Sequence, residues 1–188
     1  MSRDIPKVLD DDEAADLVDV FNTRYDSGVK NRGMVRMMLE VGLRVSELCN
    51  LKRGDVDMTS CRVTVRDGKG GKDRQLWMPE DLRDLVGEWL ERRPETDDNW
   101  LFPTRNGTQT DPRSVRRTVK NYAEKAGIDW HEDVSPHTLR HTFATHLLRR
   151  TGNIRLVQKA LGHADLSTTM IYTHIVDDEL EAAMKGVA

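Results

Sequence analysis

Hydrophobic residues recur at helical spacing along most of the chain. Near the start, an acidic run from Asp10 to Glu13 precedes apolar residues at positions 14, 17, 18 and 21, which is typical of an acid-rich helix start and an amphipathic helix. Pro136 and Gly152 fit the first turn and the C-terminal end of a longer helix. The pattern predicts helices at about 10–21, 35–42, 45–48, 80–90, 111–126, 136–151 and 154–161, with two more after positions 165 and 177.

Between positions 55 and 78 the hydrophobic pattern alternates, as expected for strands. Residues 62–66 alternate between polar and apolar, and residues 75–78 can pair with them across a glycine-rich turn at 67–73. Residues 55–58 supply a first edge strand. The predicted fold class is therefore mainly α with a small three-stranded antiparallel β-sheet (α+β). We expect the core to include Leu147, Leu148, Leu156 and the four tryptophans.

The composition excludes several classes of protein. With 188 residues, the chain is long enough to bury about 70% of its unfolded surface in one compact domain, which we expect to span 1–188. Its two cysteines, Cys49 and Cys61, are too few for a disulfide scaffold or a multi-cysteine zinc module. No apolar run approaches the roughly 20 residues of a membrane span, and the polar N-terminus is unlike a signal peptide. We expect a cytoplasmic protein that does not bind membranes.

The formal net charge of −3 conceals a strong alternation along the chain. Residues 27–74 and 113–159 carry net charges of +5 and +6, whereas the three segments 1–26, 75–112 and 160–188 carry −5, −5 and −4. If the fold joins the two basic blocks, they form a cationic surface suited to a polyanion such as nucleic acid. Solvated helix faces would produce the same pattern, so charge alone does not decide between these interpretations.

His137, Arg140 and His141 occupy positions i, i+3 and i+4 of the predicted 136–151 helix and therefore share one face. A guanidinium beside an imidazole suits a phosphate, because arginine donates two parallel hydrogen bonds to phosphate oxygens. A zinc site would need a third ligand and would place the Arg140 cation beside the metal, so we expect no bound metal. An ordinary polar helix face is the remaining alternative for this segment taken alone.

Five short motifs, spread over nearly the whole chain, follow one another in a meaningful order. They are GLRVSEL at 42–48, GKGGK at 68–72, HTLRH at 137–141, LGH at 161–163 and IYTH at 171–174. Together they resemble the tyrosine recombinase family, the phage integrases and Xer-like enzymes. One such motif alone would carry little weight, but five in the right order within a mainly helical pattern are hard to attribute to chance.

The resemblance implies site-specific DNA recombination, in which DNA is cleaved and rejoined through a 3′-phosphotyrosyl intermediate without metal, ATP or another cofactor. Tyr172 would be the nucleophile. Because the unperturbed pKa of tyrosine is near 10, neighbouring cations or a base should help it ionise. Arg44 and Arg140 would neutralise the two non-bridging phosphate oxygens. Outside such a motif, a tyrosine like Tyr172 is usually a residue at the edge of the core.

Further roles follow from the same resemblance. Lys69 matches the family's hairpin lysine, the general acid for the 5′-oxygen, and Lys72 is the alternative; either lysine would otherwise contact DNA phosphate without a catalytic role. His137 would assist proton transfer at the tyrosine, and His163 would hydrogen-bond the phosphoryl group. Glu47, one helical turn beyond the GLRVSEL arginine, would orient a cation or ligand, with a surface salt bridge as an equal alternative.

Double-stranded DNA is the expected partner. The predicted 111–126 helix carries four candidate DNA contacts, with a solvated face as the alternative: Arg113, Arg116, Arg117 and Lys120. The resemblance implies a monomer in isolation that assembles as a tetramer on DNA. We expect the N-terminal core-binding domain of many relatives to be absent here, either because the sequence is an excised catalytic fragment or because it is a natural one-domain member. The tail helix at about 177–186 would dock either on its own domain or on a neighbouring protomer.

Two other functions fit parts of the pattern. A type IB topoisomerase-like enzyme would share the tyrosine, arginine, lysine and histidine chemistry but would relax supercoils as a single protomer. A non-catalytic DNA-binding module with the same fold would be expected to lack a catalytic residue, whereas all six candidates are present. The LGH histidine and the short tail favour the recombinase. No motif identifies the DNA target or distinguishes integration from excision or dimer resolution.

Overall fold

The structure is a computed structural model that describes residues 7–66 and 73–162. Within these ranges it contains seven α-helices, three β-strands and two short 3-10 helices, at Arg53–Asp55 and His131–Asp133. The helices are α1 (Asp11–Asp19), α2 (Asp26–Glu40), α3 (Val45–Asn50), α4 (Glu80–Arg92), α5 (Pro112–Lys125), α6 (Pro136–Thr151) and α7 (Ile154–Leu161). The strands are β1 (Val56–Asp57), β2 (Arg62–Val65) and β3 (Arg74–Trp77).

Side chains that cap the helices explain where they begin and end. The backbone N–H of Glu13 donates to Asp10 Oδ1 at 2.8 Å, and the backbone N–H of Asp10 donates to Glu13 Oε2 at 3.1 Å, so α1 begins with a capping box. Ser135 caps α6, Pro136 occupies its first turn, and the helix ends at Gly152 with φ +59°. These predicted helix boundaries are confirmed.

Helix α2 begins at Asp26, well before the predicted start near position 35. The early part of the helix contains Gly28 and Gly33, which are usually unfavourable in helix interiors. Here they allow close packing, because a Cβ at Gly28 would lie 1.9 Å from the carbonyl oxygen of Asn22, and one at Gly33 would lie 3.1 Å from the ring of Phe102. The spacing of hydrophobic residues therefore predicts a helix that is shorter than the one observed.

The three strands form one antiparallel sheet in the order β1-β2-β3, as predicted. Val63 pairs with Val56 on one side and with Leu76 on the other, and all three side chains are buried. In β3, Arg74 lies two residues before Leu76 and therefore on the same inward face of the sheet. The predicted turn at 67–73 and the predicted helices after position 165 lie, almost entirely, outside the described residues.

The core is organised around α2, which packs against α4 and α6. Its buried residues include Val29, Met34, Val35, Met37, Met38 and Leu39. A smaller cluster between α6 and α7 contains Ala144, Leu148, Val157 and Leu161. The mainly α architecture with a small sheet is therefore confirmed, and no helix in the described ranges is long and apolar enough to cross a membrane.

The prediction that Leu156 and all four tryptophans lie in the core is wrong. Trp89 is buried, but Trp77 is 62% exposed and Leu156 is 46% exposed, while Trp100 and Trp130 are partly buried. Trp77 follows the inward-facing Leu76 in β3 and therefore points outward, and Leu156 lies beside Val157 on the outer side of α7. Trp77 and Leu156 line a cleft of about 760 Å³ between β3, α6 and α7.

Candidate active site

Arg44 lies at the N-terminus of α3, where local helix geometry brings it onto Glu47. The Glu47 carboxylate accepts the backbone N–H of Arg44 at Oε2 and the Arg44 side chain at Oε1, both at 2.7 Å. The first interaction is half of a capping box, in which the third helical residue reaches back to the residue before the helix. The Arg44 side chain is 25% exposed and that of Glu47 only 9%, so this is not the surface salt bridge left open by the sequence.

Arg140 reaches the same carboxylate from α6. Its side chain is 7% exposed and lies 3.8 Å from Glu47 Oε2. It donates to the carbonyl oxygen of Gly42 through Nη1 and to that of Leu161 through Nη2, the latter at 2.5 Å. Arg140 thus joins the turn before Arg44 to the C-terminal end of α7.

Gly42 allows this junction to form. It has φ +73°, a backbone conformation that residues other than glycine adopt only at a cost in free energy. A Cβ at this position would lie 2.3 Å from Cδ1 of Phe143, so the space beside it is also filled. Glycine in the GLRVSEL motif therefore meets two structural demands: the backbone turn and the close approach of α6.

Arg74 is a third arginine in this group, and none of the five motifs contains it. Its Nη1 and Nη2 donate to the two oxygens of Glu47, each at 2.8 Å, and its Nε donates to the carbonyl oxygen of Ala160 at 3.0 Å. A charged residue on the inward face of a predicted strand, in phase with Leu76, was the available signal. The predicted turn ends at position 73 and the predicted strand begins at Gln75, so Arg74 was assigned to neither.

We refer to Arg44, Glu47, Arg74 and Arg140 as the Glu47 cluster. Burial alone would raise the pKa of Glu47, but the hydrogen bonds and positive charges of Arg74 and Arg44 outweigh it and lower the pKa to about 2. Glu47 is therefore ionised at neutral pH. Three guanidinium groups and one carboxylate give these four side chains an excess of positive charge, which suits an anionic ligand.

The histidines of the HTLRH motif lie in the first turns of α6. His137 is exposed, whereas His141 is partly buried. Burial, together with the neighbouring His137 and Arg140, lowers the pKa of His141 below its usual value, which favours the neutral imidazole. The expected shared position of His137, Arg140 and His141 on one helix is confirmed, but only Arg140 belongs to the Glu47 cluster.

A cleft of about 530 Å³ opens beside Arg44 and extends toward the sheet. Lys52 and Arg66 line it, together with the aromatic ring of Trp100. The Lys52 ammonium lies 5.0 Å from the centre of that ring, and Arg66 Nε donates to the buried Asp55 at 2.5 Å. The cleft therefore combines cations with a flat aromatic surface next to the Glu47 cluster.

The basic residues of α5 occupy different environments. Val115, Val119 and Ala123 face the core, which leaves Arg113, Arg116 and Arg117 exposed. The ammonium of Lys120 instead forms an ion pair with Glu132. Four of the predicted site residues lie outside the part of the chain that the structure describes: Lys69, Lys72, His163 and Tyr172. Within the described ranges, no group of three or more histidine, cysteine, aspartate and glutamate side chains is placed to hold a metal ion.

The mainly helical fold with its small sheet matches the tyrosine recombinase catalytic domains. Residues 7–179 match the model of the phage integrase family, and the chain belongs to that family. The resemblance noted in the sequence is thereby confirmed.

Several curated relatives are similar over almost the whole chain. The chain is 42% identical to tyrosine recombinase XerA of Pyrococcus furiosus over 187 residues, which cover 97% of this chain and 62% of the relative. It is 38% identical to tyrosine recombinase XerC of Alcanivorax borkumensis, over 97% of this chain and 60% of the relative. The chain thus spans about three fifths of the length of these relatives.

The solved structures give the same result. A crystal structure of XerA recombinase superposes with a TM-score of 0.85 at 38% identity and covers 98% of this chain and 66% of that chain. A post-cleavage complex of XerH site-specific recombinase bound to palindromic difH substrate superposes with a TM-score of 0.84 at 29% identity, over 96% of this chain and 53% of that chain.

Proposed function

We propose that the chain is the catalytic part of a site-specific DNA recombinase that cleaves and rejoins DNA through a 3′-phosphotyrosyl intermediate. The observation that carries this proposal is the convergence of Arg44 and Arg140, from distant motifs, on Glu47. The relatives named as recombinases, and the neighbour bound to a DNA substrate, support it further.

The Glu47 cluster supplies what phosphodiester transfer demands of the protein. Charge on the non-bridging oxygens of the phosphate grows in the transition state, and preorganised cations in a partly buried site stabilise it. Arg44 is the more accessible donor, and the largely buried Arg140 supplies positive charge from behind it. Glu47 holds the side chain of Arg44 in place through one N–H. A guanidinium can donate up to five hydrogen bonds, so Arg44 retains donors for a phosphate.

The cleft beside Arg44 fits the path of a DNA strand. Lys52 provides positive charge along it, whereas the charge of Arg66 is paired with Asp55, and Trp100 provides an apolar surface for a sugar or base. Exposed arginines on α5 add candidate backbone contacts at positions 113, 116 and 117. Lys120 is the weaker candidate because its charge is already paired with Glu132.

The remaining roles follow the family motifs. The Tyr172 hydroxyl attacks phosphorus and forms the P–O bond to the protein, while the bond from phosphorus to the 5′-oxygen breaks. The tyrosine proton passes toward His137, and Lys69, or Lys72 as the alternative, delivers a proton to the leaving 5′-oxygen. His163 donates a hydrogen bond to the phosphoryl group. Rejoining reverses these steps on a new 5′-hydroxyl, with the chain assembled as a tetramer on DNA.

A covalent-trapping experiment tests this function. The full chain is mixed with a library of nicked duplexes of randomised sequence, denatured in SDS, and any covalently bound DNA is recovered and sequenced. We expect an adduct that persists in EDTA and is lost in Tyr172→Phe. Tyr25→Phe is the matched control, because it removes a phenolic hydroxyl from an exposed tyrosine, 66% accessible, that belongs to none of the five motifs.

The other outcomes distinguish the alternatives. An adduct that survives Tyr172→Phe would refute the assignment of the nucleophile. Relaxation of supercoiled plasmid without exchange of strands between sites would favour the topoisomerase-like function. DNA binding with no adduct for any sequence in the library would favour a non-catalytic module.

A further inference from the structure

Arg74 is a largely buried charged residue to which the proposed mechanism assigns no role. Its side chain is 10% exposed and that of its partner Glu47 is 9% exposed. Placing two charges in such an environment is costly unless their geometry and remaining hydrogen bonds are well satisfied. Arg74 meets this requirement with three hydrogen bonds, two to Glu47 and one to the Ala160 carbonyl.

These hydrogen bonds connect three elements. The planar guanidinium of Arg74, on β3, binds both oxygens of Glu47 on α3 and the carbonyl of Ala160 near the end of α7. Gly162 follows α7 with φ +63°, and a Cβ there would lie 3.1 Å from Arg74 Cδ and 3.2 Å from Nη1. The backbone at the end of α7 therefore rests against the Arg74 side chain, and the next residue in the sequence is His163.

Arg74 forms hydrogen bonds with the same two parts of the fold, Glu47 and the end of α7, that bind the motif arginines Arg44 and Arg140. Glu47 accepts both the backbone and the side chain of Arg44. Leu161, adjacent to Ala160, accepts Nη2 of Arg140. We propose that Arg74 is a positioning residue: by fixing the Glu47 carboxylate and the end of α7, it sets the geometry of Arg44 and Arg140. This inference rests on the proposed function, in which those two arginines stabilise the reacting phosphate.

The proposal predicts a defect in the chemical step rather than in DNA binding. Without Arg74, the Glu47 carboxylate is free to turn toward Arg44 and Arg140 and to draw their donors away from the phosphate. A displacement of about 1 Å in a catalytic group costs up to about 100-fold in rate. Arg74 is largely inaccessible to DNA, so its removal should leave DNA affinity nearly unchanged.

The test compares Arg74→Gln with Arg36→Gln. Arg36 is also a buried arginine that binds both oxygens of a glutamate, Glu40, but it contacts neither Arg44 nor Arg140. For each variant we would measure the melting temperature, the Kd for DNA, and the single-turnover rate of adduct formation at saturating protein. We expect Arg74→Gln to lower that rate by about 10- to 100-fold, with Kd within about threefold, and Arg36→Gln to leave the rate near that of the wild type.

A double-mutant cycle isolates the route through Glu47. If Arg74 acts through this carboxylate, Arg74→Gln should add little to the rate defect of Glu47→Gln. The double variant also removes both charges of the pair, so it remains testable if Arg74→Gln alone fails to fold. Arg74→Lys keeps the charge but not the two parallel hydrogen bonds, and we expect it to recover only part of the lost rate.

The outcomes are distinct. Rate losses that follow melting temperature equally in Arg74→Gln and Arg36→Gln would overturn the positioning role, as would full recovery in Arg74→Lys. Additive defects in the cycle would overturn the route through Glu47. If the wild-type chain forms no adduct with any duplex, the proposed function falls and this inference falls with it. If the wild type forms an adduct and Arg74→Gln forms it equally fast, only this inference falls.

Discussion

The Glu47 cluster and a second cluster of charges, centred on the buried Arg36, are opposite in composition. In the Glu47 cluster a carboxylate lies among three arginines. In the second, which we call the Arg36 cluster, an arginine that is 8% exposed lies between two carboxylates. Arg36 donates to Glu40 at 2.5 and 2.8 Å and to Asp81 at 2.6 Å, and thereby ties α2 to the first turn of α4.

The difference shows which kind of buried ion cluster is suited to a ligand. In the Arg36 cluster the carboxylates of the protein itself neutralise the central cation, so a further anion would be repelled. In the Glu47 cluster the positive charges exceed the negative one, and the most exposed arginine, Arg44, borders a cleft. A largely buried central charge is common to both clusters, so the sign of the excess charge is what distinguishes a candidate site.

The largest expected effect is on the chemistry of the Glu47 cluster. We expect Arg44→Gln to lower the single-turnover rate of adduct formation by about 10³-fold, roughly 4 kcal/mol in the activation barrier, because one charged donor to the phosphate is lost. The neighbouring Arg53→Gln is the control, since Arg53 is exposed and outside the cluster. An Arg44→Gln enzyme as fast as the control would remove the proposed functional difference between the two clusters.

The next effect concerns the stability contributed by Glu47. Its folded-state pKa of about 2 lies below the ordinary value of 4.5, so its contribution is fully present above pH 4.5 and is lost as the pH falls toward 2. We expect Glu47→Gln to reduce the free energy of unfolding by about 3 kcal/mol at pH 7. The difference from wild type should shrink as the pH falls from 4.5 toward 2.

Urea denaturation from pH 7 to pH 3 measures this dependence. Glu91→Gln, at an exposed position in the last turn of α4, is the control and should follow the wild type throughout. A stability difference between Glu47→Gln and wild type that stays constant over this range would contradict the ionised, arginine-bound state of Glu47.

A somewhat smaller effect is expected at Gly42, which supports the Arg140 side of the Glu47 cluster. Gly42→Ala should lower the free energy of unfolding by about 2 to 3 kcal/mol, because it adds a positive-φ penalty to a clash with Phe143. Gly127→Ala is the matched control: it has a similar φ of +76° but nothing within 4 Å of the added Cβ. Thermal denaturation should therefore show a smaller loss, about 1 kcal/mol, in the control.

Comparison of these sites shows what could be predicted from the sequence. The capping residues and the alternation in the sheet are local signals, and within residues 7–66 and 73–162 the helices and strands that they predict were found. Arg44 and Arg140 were identified through motifs. Arg74 was missed because its role depends on Glu47 and Ala160, which are distant in the chain and meet it only in the folded state. The exposure of Trp77 and Leu156 was missed for a related reason: hydrophobicity does not tell which face of an element the core covers.

The smallest effects distinguish the central residue of the Arg36 cluster from those around it. Arg36→Gln leaves two carboxylates beside each other without a cation, and we expect it to lower the free energy of unfolding by about 2 kcal/mol. Glu40→Gln leaves Arg36 paired with Asp81, so its cost should stay below about 1 kcal/mol. Chemical denaturation at pH 7 measures both.

In the Glu47 cluster we expect the opposite charge to matter more for the free energy of unfolding: removal of the carboxylate should cost more than removal of an arginine. There the carboxylate is the central residue, so Glu47→Gln should destabilise the fold more than loss of the peripheral Arg44. If loss of the arginine were the more costly change in both clusters, their stability would depend on arginine packing rather than on which charge is central. The expected result is that the central residue of each cluster, Glu47 in one and Arg36 in the other, carries the larger share of stability, while only the Glu47 cluster affects the rate of adduct formation.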